Sequence, residues 1–177
     1  MLLSLRSLYN AHEHFEKQYA PSLFPRTDDD LFYVVSPVKL SFDVDGQDTG
    51  RYQVAGRLTG DLELMCSRCL EPFGLPVATD FDLWYVPRAE DSGEDEKEDE
   101  KEVEEDDLAT AFYVGDEIDL GQLIMEQFQL ALPMKPLCDV ACRGLCPQCG
   151  TNLNTGSCGC KQEWIDPRLE VLKKLKT

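Results

Sequence analysis

The chain has 177 residues, 42% of them hydrophobic, with 34 acidic against 17 basic side chains and a net charge of −17. That length suits one domain with a real core and is short for two, the composition excludes a wholly disordered chain, and the acidity excludes a uniformly basic nucleic-acid binder. The excess charge is local: residues 90–107 hold thirteen acids and two lysines, whereas residues 134–177 are net +3.

In chain order, Leu5, Leu8, Phe15 and Tyr19 recur at a spacing that predicts a short N-terminal helix, closed by Pro21 and Pro25. On that helix His12 and His14 would point to different faces as surface residues. Val38, Leu40, Phe42 and Val44 then alternate with Lys39, Ser41, Asp43 and Asp45, the period of a strand with one wet face, and Asp45-Gly46 begins a turn. Tyr52 to Cys66 predicts a second strand, with Gly56 and Gly60 marking bulges or bends. Phe73 to Tyr85 predicts a third, with Phe81, Leu83 and Tyr85 on one face.

The acidic run 90–107 self-repels and reads as a solvated, disordered insert, or as an electrostatic decoy that keeps RNA from a weak site. Ala111–Val114 can rejoin the sheet. Asp119 looks like an N-cap with Gln122 three residues on, opening a helix whose apolar stripe is Leu120, Leu123, Ile124, Phe128 and Ala131. Asp166-Pro167-Arg168 is a strong start for a last helix carrying Leu169, Leu172 and Leu175. The expected architecture is α+β: an antiparallel sheet with flanking helices over residues 1–133, then a cysteine-rich zinc-knuckle segment and terminal helix over 134–177.

The longest mostly apolar stretch, Leu120–Pro133, is broken by Gln122, Glu126, Gln127 and Gln129, far from the ~18 apolar residues of a membrane span. The opening MLLSLRSLYNAHEHF has Arg6 within its apolar part and no small-residue cleavage site, so it does not read as a signal peptide. A cytoplasmic, reducing setting is therefore expected, in which eight clustered cysteines serve as metal ligands rather than as disulfides.

The strongest local signal is Cys146-Pro147-Gln148-Cys149-Gly150, a tight turn able to point two thiolates at one ion, followed by Cys158-Gly159-Cys160, whose i, i+2 spacing puts two sulfurs on one face of an extended segment. These four suit one tetrahedral zinc. Cys66, Cys69, Cys138 and Cys142 could form a second site, could be reduced thiols, or could lend Cys142 to the first. Arg68, Arg143, Lys161 and Arg168 are the basic residues near the cysteines, suited to offset thiolate charge or to touch RNA. All-cysteine sites are closed, both histidines lie far from them in sequence, and no phosphate loop or nucleophile elbow is present, so an enzyme is not expected.

The string Cys66-Ser67-Arg68-Cys69-Leu70-Glu71-Pro72-Phe73 resembles the C-x-R-C-L-x-P-F signature of the YceD family. Leu132-Pro133, Pro136-Leu137-Cys138, Cys142-Arg143-Gly144-Leu145-Cys146-Pro147-Gln148-Cys149-Gly150, Asn152-Leu153-Asn154 and Cys158-Gly159-Cys160 are similar to that family's C-terminal signature, and Asp166-Pro167-Arg168 to its closing helix. The resemblance covers residues 30–177. It implies a role in large-subunit ribosomal RNA accumulation in bacteria and plastids, non-catalytic and within ribosome biogenesis, with no catalytic residues to transfer. Two modes are then open: an assembly factor binding ribosomal RNA or a basic large-subunit ribosomal protein, and a protein-binding adaptor for an RNA-processing or transcription enzyme. Neither mode needs a membrane or a small-molecule substrate. The net charge favours a basic protein partner, because phosphate contacts dominate RNA affinity.

Overall fold

The computed structural model describes residues 1–25, 31–47, 49–87 and 109–160. They divide into two compact units, Met1–Leu64 with Phe73–Met134, and Met65–Pro72 with the chain from Lys135 onward. The acidic run 90–107 and the predicted helix at 167–176 lie outside the described residues.

The first unit is mostly sheet. Its strands are β1 (Leu2–Ser4), β2 (His12–Tyr19), β3 (Tyr33–Val34), β4 (Val38–Gly46), β5 (Tyr52–Met65), β6 (Pro72–Pro87), β7 (Thr110–Tyr113) and β8 (Glu117–Asp119), followed by one helix, α1 (Leu120–Ala131). The main sheet runs β2-β4-β5-β6-β7, with β3 also on β5, and β1 pairs separately with β8. The alternation read in β4 and β5 is what the core uses. Val38, Leu40, Phe42, Val44, Val54, Leu58, Leu62 and Leu64 are buried, and the facing pairs Leu40–Leu58 and Val44–Val54 meet in antiparallel register. That register passes unbroken from Lys39–Thr59 to Gly46–Tyr52, so Gly56 marks no bulge. α1 lays Leu120, Leu123, Ile124 and Phe128 into the same core, along with the side chain of Gln127.

The predicted N-terminal helix is absent. Leu5 and Leu8 are buried in an irregular segment, and residues 12–19 form β2, antiparallel to β4. The i, i+4 pair Phe15 and Tyr19 shares a face in a strand as well as in a helix. What decides is the partner: Phe15 faces Phe42 and stacks on it with ring centroids 5.2 Å apart. His12 and His14 consequently share one face and are exposed there. Their Nδ1 atoms lie 3.0 Å from Asp45 and 2.8 Å from Asp43.

The sheet is also mixed rather than antiparallel throughout, because β7 joins β6 in parallel, from Trp84–Thr110 to Pro87–Tyr113. A parallel pair needs a crossover of about a dozen residues or more, and residues 88–109 supply that length. Of the predicted flanking helices, the one at 120–132 is α1, and the one at 167–176 lies outside the described residues.

Candidate metal centres

The second unit is built around cysteine. Its buried apolar side chains, among the described residues, are Cys66, Cys69, Cys142 and Cys146, and the apolar core of the protein includes none of its residues. Among the described residues of this unit, burial of hydrocarbon contributes little.

Two turns of the same construction carry the C-x2-C pairs. In the six residues linking β5 to β6, the N–H of Leu70 donates to the Cys66 carbonyl (3.0 Å) and the N–H of Cys66 to the Glu71 carbonyl (2.9 Å). At Cys146–Thr151 the N–H of Gly150 donates to the Cys146 carbonyl and the N–H of Cys146 to the Thr151 carbonyl, both at 2.9 Å. Each turn closes through a left-handed residue, φ 57° at Leu70 and 72° at Gly150. Only the second of these is the glycine that such a conformation favours.

The structure brings Cys66, Cys69, Cys138 and Cys142 into one group and Cys146, Cys149, Cys158 and Cys160 into another, all sulfurs of a group lying within 4.8 Å of one another. A tetrahedral ion with Zn–S of about 2.3 Å requires S···S edges of about 3.8 Å. Cys66–Cys142 and Cys69–Cys138 are 3.8 and 3.7 Å apart. Each group could thus hold a metal ion, and four thiols are a donor set compatible with zinc. Cys142 lies with Cys66, not with the second group.

Thiols this close cannot all ionise unaided. Backbone N–H groups of Cys138 and Cys69 draw Cys66 down to about 6, while burial and the thiols of Cys142, Cys69 and Cys66 push Cys138 up to about 12. The Thr151 hydroxyl and N–H bring Cys149 down to about 6, and Cys149 together with burial pushes Cys160 up to about 12. A bound divalent cation removes that conflict, since it stabilises every thiolate that faces it.

Residues between the cysteines join the two groups. Asn154 donates from Nδ2 to the Cys142 sulfur (3.2 Å), which lowers the Cys142 thiol, and accepts at Oδ1 from the Arg143 N–H (2.7 Å). It belongs to the loop between Cys149 and Cys158, so one side chain ties that loop to a ligand of the other group. Gly144, at φ 72°, lets the chain pass against Arg68: a Cβ there would lie 2.9 Å from the Arg68 carbonyl oxygen, which accepts from the Leu145 N–H at 3.1 Å.

The Arg68 guanidinium donates to the carbonyls of Cys142 (2.8 Å) and Val140 (3.3 Å), pinning the Cys138–Cys142 loop by its main chain. Arg143 is exposed, and Lys161 and Arg168 lie outside the described residues. Sequence reasoning missed Asn154, Thr151 and the left-handed Leu70. Asn154 carried a signal in Asn152-Leu153-Asn154, the side-chain amides of a tight loop. Leu70 carried none, because nothing in a leucine announces a positive φ.

A family model for the large ribosomal RNA subunit accumulation protein YceD matches residues 54–176. The chain is 32% identical over 148 residues to the large ribosomal RNA subunit accumulation protein YCED homolog 1, chloroplastic, of Zea mays, covering 71% of this chain and 49% of that protein. It is 39% identical over 112 residues to an uncharacterised protein of Mycobacterium tuberculosis, covering 62% and 48%. The chloroplastic YCED homolog 1 of Arabidopsis thaliana matches over 60 residues at 37%, covering 34% and 19%. The chain thus spans about half the length, or less, of these curated relatives. No solved structure matches. No helix among the described residues is long and apolar enough to cross a membrane. By the extent of the family match, which takes in both turns and all eight cysteines, the chain belongs to the YceD family of large ribosomal RNA subunit accumulation proteins.

Proposed function

We propose that this protein supports large-subunit ribosomal RNA accumulation as a non-catalytic, cytoplasmic factor of ribosome biogenesis. In this reading it binds ribosomal RNA, a basic large-subunit ribosomal protein, or both. Family membership supports the process. The observation that carries the mode of action is the pair of four-sulfur groups on one small unit. With zinc in each, that unit is a closed, rigid platform with no open coordination position for chemistry. Cys66, Cys69, Cys138 and Cys142 would hold one ion and Cys146, Cys149, Cys158 and Cys160 the other. Bound zinc would supply folding energy and fixed geometry.

The net charge of −17 favours the protein arm of this reading and keeps the adaptor alternative in play, since phosphate repels such a surface. The deciding experiment is affinity purification from cells with and without nuclease, read for large-subunit RNA and for basic ribosomal proteins. Recovery of either supports an assembly factor. Recovery of a processing or transcription enzyme alone, unaffected by nuclease, overturns it in favour of the adaptor. Elemental analysis of protein purified without chelators is expected to give two zinc ions per chain, and folded protein free of zinc would remove the platform.

A further inference from the structure

Opposed residues on neighbouring strands share a face of the sheet, so the register assigns two faces to β2, β4 and β5. Lys17 lies opposite Leu40 on the core side, with its Nζ 5.7 Å from the Phe15 ring centroid. On the outer side Gln18, Lys39 and Thr59 form one row, and Glu16, Ser41 and Arg57 form the next. All six line a cavity of about 410 Å³. At its centre Lys39, Ser41, Arg57 and Thr59 make a square, with the two cations on one diagonal and the two hydroxyls on the other. Diagonal neighbours on a sheet stand roughly 7–8 Å apart. Two long cationic side chains at that distance can reach one bound strand and still take a phosphate each. Leu40 and Leu58, which alternate with the corners of the square, are fully buried, so the square stands on rigid backbone.

Neither cation is committed elsewhere. Lys39 is exposed and enters no ion pair among the described residues. Arg57 lies 3.6 Å from Asp80 with both side chains well exposed, and a surface pair of this kind holds little. Of the acids around the square, Glu16 flanks Ser41 and lies 3.9 Å from His14, while Asp43 and Asp45, in the following rows, face His14 and His12.

We propose that this square is a phosphate-contact site for a single strand of RNA. Lys39 and Arg57 would neutralise successive phosphates, and the Ser41 and Thr59 hydroxyls would donate to their oxygens. The outward positions of these strands over residues 12–18, 39–45 and 53–59 hold no phenylalanine, tyrosine or tryptophan, so bases lack the platform on which single strands stack. Contact then falls on the backbone, which positions the strand without reading its sequence. Two cations make a weak, local site, in keeping with a chain of net charge −17. This inference rests on the RNA arm of the proposed function and names the surface it would use.

The probe is a labelled uridine decamer, titrated with the full chain by fluorescence anisotropy over a series of salt concentrations. Lys39→Gln/Arg57→Gln is expected to weaken binding tenfold or more. It should also flatten the slope of log affinity against log salt by about 1.4, two phosphate contacts at about 0.7 each on a single strand. Arg6→Gln/Lys135→Gln makes the same charge change at exposed positions elsewhere and is expected to keep the affinity within twofold. Melting temperatures of both variants should match the wild type. Amide NMR of the wild type needs no variant: the unlabelled decamer should shift Lys39, Ser41, Arg57 and Thr59 first. No binding at the lowest salt, equal weakening in both variants, or shifts centred elsewhere would overturn the site. So would a glutamate decamer bound as tightly as the RNA and lost on Lys39→Gln/Arg57→Gln, which would make the square an acidic-peptide site, or inorganic phosphate shifting the same amides where RNA does not. Cellular purification separates this inference from the function. Large-subunit RNA recovered undiminished with Lys39→Gln/Arg57→Gln would refute the square and spare the function. RNA bound at the square in solution, with neither ribosomal RNA nor a ribosomal protein recovered from cells, would do the reverse.

Discussion

Leu70 and Gly150 occupy equivalent places in two turns with the same hydrogen bonds, yet one is a left-handed leucine, 59% exposed. A non-glycine residue there costs on the order of 1 kcal/mol. Leu70→Gly is therefore expected to leave the melting temperature unchanged or raise it slightly, whereas Leu70→Val, β-branched at positive φ, should lower it clearly. A large loss of stability in Leu70→Gly would show that the side chain is packed. Asn154 gives a second test at this scale. Asn154→Ala removes a donor to the Cys142 sulfur and an acceptor for the Arg143 N–H. Residues that orient metal ligands typically change affinity by about 10–100-fold. In protein loaded with zinc at both groups, as proposed, competition with a graded chelator should show one ion released earlier in the variant, and unchanged release of both would refute this role.

Among the elements, α1 is legible in the sequence and is built as written: Asp119 accepts from the N–H groups of Gly121 (2.8 Å) and Gln122 (3.4 Å). Asp119→Ala is expected to cost about 1 kcal/mol, seen in urea unfolding, with Asp119→Ser recovering most of it. The reciprocal half of a capping box is missing, because Gln122 reaches forward to Glu126 instead. β4 and β5 were legible for the same reason as α1, since one buried face imposes its period on the residues. β2 was not. Its half-buried Phe15, Lys17 and Tyr19 alternate with exposed His14, Glu16 and Gln18, a weak period that four apolar residues at helical spacing could imitate. The parallel direction of β7 was equally hidden, because four residues do not reveal which way a strand runs. The two sulfur groups were readable as pairs in sequence. The partition into these two fours was also legible in the sequence, with reduced thiols and the loan of Cys142 to the first site left open, and the fold sets Cys142 beside Cys66 across 76 positions.

At the scale of the whole molecule, the acidic run and the two units obey different physics. Because β7 returns parallel to β6, shortening the link between them would strain the sheet, so the run is best tested at constant length. Exchanging its thirteen acids for neutral amides should leave thermal stability nearly unchanged while weakening binding to a basic protein and flattening its salt dependence. The two units differ more deeply. The first has an apolar core from Leu3 to Phe128, and among its described residues the second buries little beyond its own sulfurs. Where little hydrocarbon is buried, something else must supply folding free energy, and in closed thiolate sites a bound metal does so. If zinc fills the two sulfur groups as proposed, stripping it with a strong chelator under reducing conditions should unfold the region around them and spare the first unit. Hydrogen exchange would read it amide by amide. Protection should vanish at Leu70, Leu145, Cys146, Gly150 and Leu153, whose N–H groups bond within the second unit, and persist at the buried residues of β4 and β5. Unchanged protection at Cys146 and Gly150 after complete zinc removal would mean that the turns stand without metal. Simultaneous loss in β4 and β5 would mean that the two units fold as one.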